Sequence, residues 1–254
     1  MPIGSAVIGE LLDLFRRIAD DVESALSDVD DWGLSGRRPG QYSADLVTDE
    51  VVLRALDAFG VGVLSEETGS RNLDREVVVI VDPLDGSTNA SRGIPHHATA
   101  LCAVDDSGPV VGLVAHHRRS TRWHAVRGEG AFRDGTRLAV VDGSADWDHA
   151  VVLVSGPMPA SHPWWQSRIL GAGAIDLCMV ADGTVDGFVD MSPDAHGVWD
   201  YAASMLVCRE AGVTVVDAAG RDLLVLDHDA RRTPVAARPS MIGELLEVRR
   251  GSGG

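Results

Sequence analysis

The chain has 254 residues, 45% of them apolar and 24% charged, with 22 Arg and Lys against 38 Asp and Glu and a formal net charge of −16. So acidic a chain is ill suited to tracking a nucleic-acid backbone, although a bound divalent cation can reverse the local field for an anionic substrate. Every basic residue is Arg and none is Lys, which removes Schiff-base chemistry and the P-loop lysine.

In chain order, Val7, Ile8, Leu11, Leu12, Phe15, Ile18, Val22 and Leu26 recur at helical spacing and predict a long amphipathic helix. The first residues carry no basic stretch and no long apolar run, so neither export nor membrane insertion is expected. Residues 31–40, rich in Gly and Arg, read as a loop. Thr48 and Asp49 offer an N-cap to a second helix with Val52, Ala55, Leu56 and Phe59 on its apolar face. Residues 61–64 form a short strand, and the continuous β-branched run 77–81 suggests a strand buried on both faces. Residues 101–104 and 110–114 flank Asp105-Asp106-Ser107-Gly108, a hairpin signal, and further strands are expected at 123–126 and 138–141.

In the second half, strand 151–154 leads into a loop rich in Pro and Trp. A helix over 174–181 stops near Gly183, a strand follows at 185–189, and a helix over 201–211 ends at Gly212. Strands at 213–216 and 234–237 and a helix at 241–248 complete the order. Alternating strands and helices argue for a layered α/β architecture. A break at 143–149 divides the chain into a first subdomain, 1–145, and a second, 146–248, and the tail 249–254 is expected to be disordered. Cys102, Cys178 and Cys208 are scattered in apolar runs, which suits reduced thiols in a cytoplasm.

The chemistry centres on Val81-Asp82-Pro83-Leu84-Asp85-Gly86-Ser87-Thr88-Asn89, which follows directly on the buried strand. That is the strand's carboxyl end, where α/β folds place ligands. Asp82 and Asp85, with the Leu84 carbonyl between them, are hard oxygen donors that favour Mg²⁺ or Mn²⁺ over zinc. Gly86, Ser87 and Thr88 supply N–H groups and hydroxyls suited to a phosphate. Read alone, the segment is equally a pair of turns, because Asp-Pro and Asp-Gly are common turn dipeptides. Ser65-Glu66-Glu67 alone is a solvated acidic loop or a metal ligand with a water-activating base. Asp200 in Trp199-Asp200-Tyr201-Ala202-Ala203 alone is a helix cap. His96-His97 and His116-His117 are adjacent pairs on expected strands, where neighbours point to opposite faces, so neither pair chelates zinc easily. Trp164-Trp165 reads as a lid, a partner contact or ordinary packing. Arg231-Arg232 reads as a solvated pair, with steering of an anionic ligand as the alternative.

Taken in order, Ser-Glu-Glu, Asp-Pro-Leu-Asp-Gly-Ser-Thr-Asn and Trp-Asp-Tyr-Ala-Ala resemble the signature of the inositol monophosphatase family, and Asp45-Leu46-Val47-Thr48-Asp49 resembles its N-terminal motif. The resemblance runs from about residue 5 to about residue 245. It implies an αβαβα sandwich and hydrolysis of inositol monophosphate by metal-activated water, with two or three Mg²⁺ and Mn²⁺ as a substitute. It also implies lithium sensitivity, a homodimer, and no nucleic-acid or membrane partner. Glu66, Asp82 and the Leu84 carbonyl would hold one metal, and Asp82, Asp85 and Asp200 the second. Glu66, Ser87 and Asp82 would be catalytic, Asp85 would also contact the substrate, and Gly86 and Ser87 would receive the phosphate. Gly171, Ala172, Gly173, Asp190 and Asp200 would face the alcohol, and Asp49 would lie in the outer metal shell.

Several positions depart from the family's pattern. Ser87 stands where Thr is frequent, Ala172 stands where Ser or Thr is usual, and the family's N-terminal Lys is missing, with Arg37 or Arg38 as substitutes. The link from Met191 to Trp199 is longer than usual, which unsettles the register of Asp190 and brings Asp194 and His196 toward the site. Histidinol phosphate, fructose 1,6-bisphosphate or a nucleotide 3′-phosphate are alternative substrates, and an inactive sugar-phosphate-binding homologue is the alternative of a different class.

Overall fold

The computed structural model describes residues 3–251. Helix α1 (Ser5–Ser27) buries the expected stripe from Leu11 to Leu26. Helix α2 is Ser43–Phe59 and begins earlier than the sequence suggests. Its first turn is closed by the Asp45 side chain, which accepts the Tyr42 N–H at 2.8 Å. Thr48 and Asp49 are therefore buried helix-interior residues and not the cap: Thr48 returns its hydroxyl to the Ala44 carbonyl, and Asp49 accepts from Ser65 Oγ at 2.6 Å.

Strands β1 (Gly62–Ser65), β2 (Gly69–Arg71) and β3 (Val78–Asp85) open the first sheet. The short helix α3 (Ser87–Ser91) follows β3 directly. Strands β4 (Ala98–Asp105), β5 (Gly108–His116), β6 (Thr121–Val126), β7 (Gly130–Arg133) and β8 (Thr136–Leu138) continue the sheet as an antiparallel meander. The sheet order is β2-β1-β3-β4-β5-β6-β7-β8, and only β1 and β3 run parallel. The β4–β5 hairpin turns at Asp105–Gly108 as expected. Val141 lies beyond β8 and is exposed.

The second sheet contains β9 (Val151–Ser155), β10 (Gln166–Arg168), β11 (Gly187–Asp190), β12 (Thr214–Asp217) and β13 (Pro234–Ala237), in the order β10-β9-β11-β13-β12. Helices α4 (Gly173–Ala181) and α5 (Ala202–Ala211) lie between the sheets, and α6 (Ile242–Gly251) covers the outer face of the second. The layers are thus αβαβα. Arg249 and Arg250, expected in a disordered tail, instead form the last turn of α6, where positive charge suits the helix C-terminus. The remaining tail residues, 252–254, lie outside the described residues.

Period-two alternation builds this stack. Along β3, Val79 and Val81 face α1 and α2, while Val78 and Ile80 face α4 and α5. Along β9, Val152 and Val154 face α6, while Leu153 joins the middle layer. The middle helices belong by sequence to the second half yet pack on the strands of the first. The closest approach is at Gly112 of β5, where an added Cβ would sit 2.8 Å from the Ala203 carbonyl oxygen of α5.

Gly112→Ala is therefore expected to destabilise the fold by about 1–3 kcal/mol, the usual range for overpacking a tight core. Urea unfolding measures it, and an unchanged midpoint would refute the close-approach argument.

Candidate active site

Parallel strands, two in the first sheet and three in the second, end on the same side, and the chemistry gathers there. In the first sheet, β1 and β3 end at Ser65 and Asp85. In the second, β9 and β11 end at Ser155 and Asp190.

Between Asp82 and Asp85 the pairing with β4 skips a residue, because Asp82 faces Ala100 and Asp85 faces Ala98. This bulge frees backbone groups from the ladder. The Leu84 N–H turns onto Asp82 Oδ1 at 3.0 Å, and the Pro83 carbonyl accepts the Thr99 hydroxyl at 2.8 Å. Thr99 Oγ1 also lies 2.9 Å from His117 Nε2. Since the threonine proton goes to Pro83, His117 Nε2 must carry its own hydrogen. Burial holds the His117 imidazole far below its ordinary range, at about 3.

Glu66, Asp82 and Asp200 present carboxylate oxygens that all lie within 4.8 Å of one another. Asp85 stands beside them and accepts the Ala174 N–H at 2.7 Å, so the N-terminus of α4 points at it. Burial first, and the neighbouring carboxylates second, push the Glu66, Asp82 and Asp85 carboxyls well above the usual carboxylate range. A cluster of this kind, with oxygen donors alone, suits a hard divalent cation, whose charge would offset both the burial and the mutual repulsion.

Glu67, by contrast, turns away from the cluster to Arg38 and Gln41. Arg38, and not Arg37, is the cation that reaches this region, donating to the Glu66 carbonyl at 3.0 Å. His228 Nε2 lies 3.0 Å from the same carbonyl oxygen. Arg231 is no freely solvated partner of Arg232, because its guanidinium lies over the Trp199 ring, 5.0 Å from the centroid.

Gly86 has φ +80°, and a Cβ there would lie 2.9 Å from the His96 carbonyl oxygen and 3.1 Å from the Ala172 Cβ. Only glycine fits, which brings the metal loop against the segment 170–173. Asn89 secures this contact by donating to the His96 carbonyl at 2.9 Å and the Leu170 carbonyl at 2.8 Å. Ser87 opens α3 with the Asp45 carboxyl beside it, and burial raises that carboxyl to about 6. A cavity of about 310 Å³ opens alongside, lined by Asp85, Gly171, Ala172, Gly173, His196 and Asp200.

The structure thus gathers Glu66, Asp82, Asp85 and Asp200, with Gly86, Ser87 and Gly171–Gly173 around them. Two expected site residues sit elsewhere. Asp190 is fully buried and does not line the cavity, because the His196 ring stands in front of it. Asp194 pairs with Arg221 at 2.6 Å. Sequence reasoning gave no site role to Asp45, Asn89 or His228; Asp45 and Asn89 lay within quoted motifs, but nothing local pointed to His228. Trp164 is packed, with Nε1 donating to Ser167 Oγ at 2.7 Å, whereas Trp165 is exposed.

Carboxylates that converge from two strand ends and a turn beside a cavity, in an αβαβα stack, suit the site of a metal-dependent phosphatase. The family model described as the inositol monophosphatase family matches residues 41–251, and the chain belongs to that family. It is similar to the fructose-1,6-bisphosphatase/inositol-1-monophosphatase of Archaeoglobus fulgidus, at 30% identity over 94% of this chain and 98% of that one. It is also similar to the histidinol-phosphatase of Mycobacterium tuberculosis, at 34% identity over 66% of this chain and 70% of that one. The Thermotoga maritima IMPase structure shares the fold, with a TM-score of 0.82 at 21% identity over 96% of this chain and 98% of that one. Membership makes the chain a phosphoric monoester hydrolase acting on a small phosphate ester. Among the described residues no helix is long and apolar enough to cross a membrane.

The depressed His117 base has a clear consequence for pH. Its folded value of about 3 lies below the ordinary 6.5, so the stability it contributes is present above 6.5 and lost as pH falls toward 3. His117→Gln keeps a donor for Thr99 but cannot be protonated. Its stability relative to the wild type is expected to rise as pH falls through that window, measured by thermal melts. A pH-independent difference would contradict the buried, neutral imidazole.

Proposed function

We propose that the chain hydrolyses a polyol phosphomonoester, inositol monophosphate first among them, with Mg²⁺ as its metal. The observation that carries this reading is the convergence of Glu66, Asp82 and Asp200 beside Asp85, at the mouth of a cavity walled by Gly171–Gly173. Glu66, Asp82, Asp85, Asp200 and the Leu84 carbonyl would hold the metal, which when bound supplies Lewis acidity and lowers the pKa of water. The family resemblance adds lithium sensitivity and a homodimer to the proposal.

The chain's own residues divide the remaining work. Glu66 takes the proton of the attacking water as general base. The Ser87 hydroxyl orients that water and is itself set by Asp45 beside it. The N–H groups of Gly86 and Ser87 receive the phosphate oxygens. Asp200 and the backbone of Gly171, Ala172 and Gly173 face the leaving alcohol, whose hydroxyls can approach closely because these residues are small. Holding Asp85 on the Ala174 N–H fixes one of its oxygens and leaves the other for the site.

Relatives whose names include fructose-1,6-bisphosphatase and histidinol-phosphatase set the substrate panel. Phosphate release is measured from inositol 1-phosphate, histidinol phosphate and fructose 1,6-bisphosphate, with and without Mg²⁺. Inositol 1-phosphate is expected to be the preferred ester, with Glu66→Gln lowering kcat roughly 10²–10⁴-fold, the usual range for losing a general base. Preference for another ester would move the substrate and keep the chemistry. A folded protein that releases no phosphate from any of them in Mg²⁺ would sink the reading in favour of a binding-only role.

A further inference from the structure

The segment 191–197, which links β11 to the turn at Val198–Asp200, carries His196 near its end. Its backbone is pinned to a second loop: the Arg232 N–H donates to the His196 carbonyl at 2.9 Å, and the His196 N–H donates to the Arg232 carbonyl at 3.2 Å. The ring cannot drift far from this anchor. Nδ1 lies 3.1 Å from Asp200 Oδ2, which also accepts the Gly197 N–H at 2.9 Å. Nε2 lies 3.2 Å from Ser155 Oγ and 3.6 Å from Asp190 Oδ2. One face of the ring meets Phe188 edge-on, at 6.3 Å between centroids. A Cβ on Gly173 would sit 3.5 Å from His196 Cε1, so the ring edge packs against the start of α4.

Asp190 has no route to a ligand. Its relative exposure is 0%, its Oδ1 accepts the Ser192 N–H at 2.9 Å, and its Oδ2 has no hydrogen bond within the fold. The nearest charged partner of that Oδ2 is the His196 ring, and that ring, not Asp190, forms the cavity wall. A carboxylate behind an imidazole orients the imidazole; it does not read substrate hydroxyls.

We infer that Asp190 acts on the site through His196, and that His196 is a positioning residue that holds Asp200 Oδ2 and leaves Oδ1 to the metal. The inference rests on the metal site proposed above. Carboxylates that ligate metals are themselves oriented by hydrogen bonds, and losing such a partner typically costs roughly 10–100-fold in metal affinity. The link between β11 and the turn carries an imidazole into the space between β11 and Asp200.

The test is calorimetric titration of Mg²⁺ into the wild type and into His196→Asn, His196→Gln and His196→Phe, with melting curves to confirm folding. An Asn amide nitrogen matches imidazole Nδ1 in reach, a Gln amide nitrogen matches Nε2, and Phe keeps the ring without donors. His196→Asn is expected to bind Mg²⁺ about as tightly as the wild type, and His196→Gln and His196→Phe roughly 10–100-fold more weakly. Asp190→Asn provides a second arm. It is expected to leave unchanged the ratio of KM values for inositol 1-phosphate and p-nitrophenyl phosphate, whose leaving group has no ring hydroxyls for a carboxylate to read. Equal Mg²⁺ affinity across the His196 variants, or a KM that rises for inositol 1-phosphate alone in Asp190→Asn, would overturn the inference and leave the proposed function standing. A wild type that binds no Mg²⁺ would overturn both.

Discussion

Like charges in a confined, poorly solvated space repel, and the site depends on how the fold contains that repulsion. Glu66, Asp82, Asp85 and Asp200 come from the ends of β1 and β3 and from the turn before α5. Among the described residues no side-chain cation holds Glu66, Asp82 or Asp85, whereas Asp200 faces the His196 imidazole, with Nδ1 3.1 Å from its Oδ2. Backbone N–H groups hold Asp82, Asp85 and Asp200, namely those of Leu84, Ala174 and Gly197. Such donors are fixed by the main chain and do not neutralise a full charge, so they orient the carboxylates while leaving the negative field for a divalent cation. The layered architecture follows from this need. A bulge must break one strand, a helix must start opposite it, and a tight turn must arrive from the second sheet, all at one end of the stack.

The same constraint explains the buttressing behind the metal loop. A bulge leaves carbonyl groups without ladder partners, and an unpaired buried carbonyl is costly. Thr99 satisfies Pro83 from the neighbouring strand, and His117 in turn donates to Thr99 from the next. The four histidines around this loop are thereby sorted across strands. His96 faces His116 and His97 faces His117, at 5.8 and 6.0 Å between ring centroids. The two adjacent pairs were readable in the sequence, although His96, His97 and His117 lie just outside β4 and β5 and not on the strands expected of them. The β4–β5 register, which brings the two pairs opposite each other, was not.

That contrast marks what could be read in advance. The apolar period of α1, the β-branched run of β3 and the glycine after α5 are local signals, and each element stands where its pattern placed it. The short strands β2, β7 and β10 bury too little to leave a pattern and were missed. The start of α2 was misplaced because Thr48 and Asp49 look like capping residues, yet their hydroxyl and carboxylate are used inside the fold. At the site, the carboxylates that converge were legible because they sit in compact motifs. The contacts of Asn89, which closes one of those motifs, and of His228 were not, because their partners lie 81 and 162 residues away in sequence. The burial of Asp190 was hidden for a related reason: nothing local shows that a residue six positions later lines the cavity in its place.

The absence of lysine also bears on the site. At its rim, Arg38 reaches two acceptors at once, the Glu66 carbonyl and the Glu67 carboxylate. A guanidinium can do this because its donors fan out in a plane, whereas an ammonium is a compact point charge that is more easily hydrated and more easily deprotonated. The arginine therefore ties the strand end that carries Glu66 to the loop before α2, and His228 approaches the same carbonyl from the second half of the chain. The Glu66 main chain is clasped from two directions while its side chain stays with the cluster. For the general base of the proposed function, which would take and release a proton without moving, a hold on the backbone leaves the carboxylate free, and this chain holds Glu66 by its backbone.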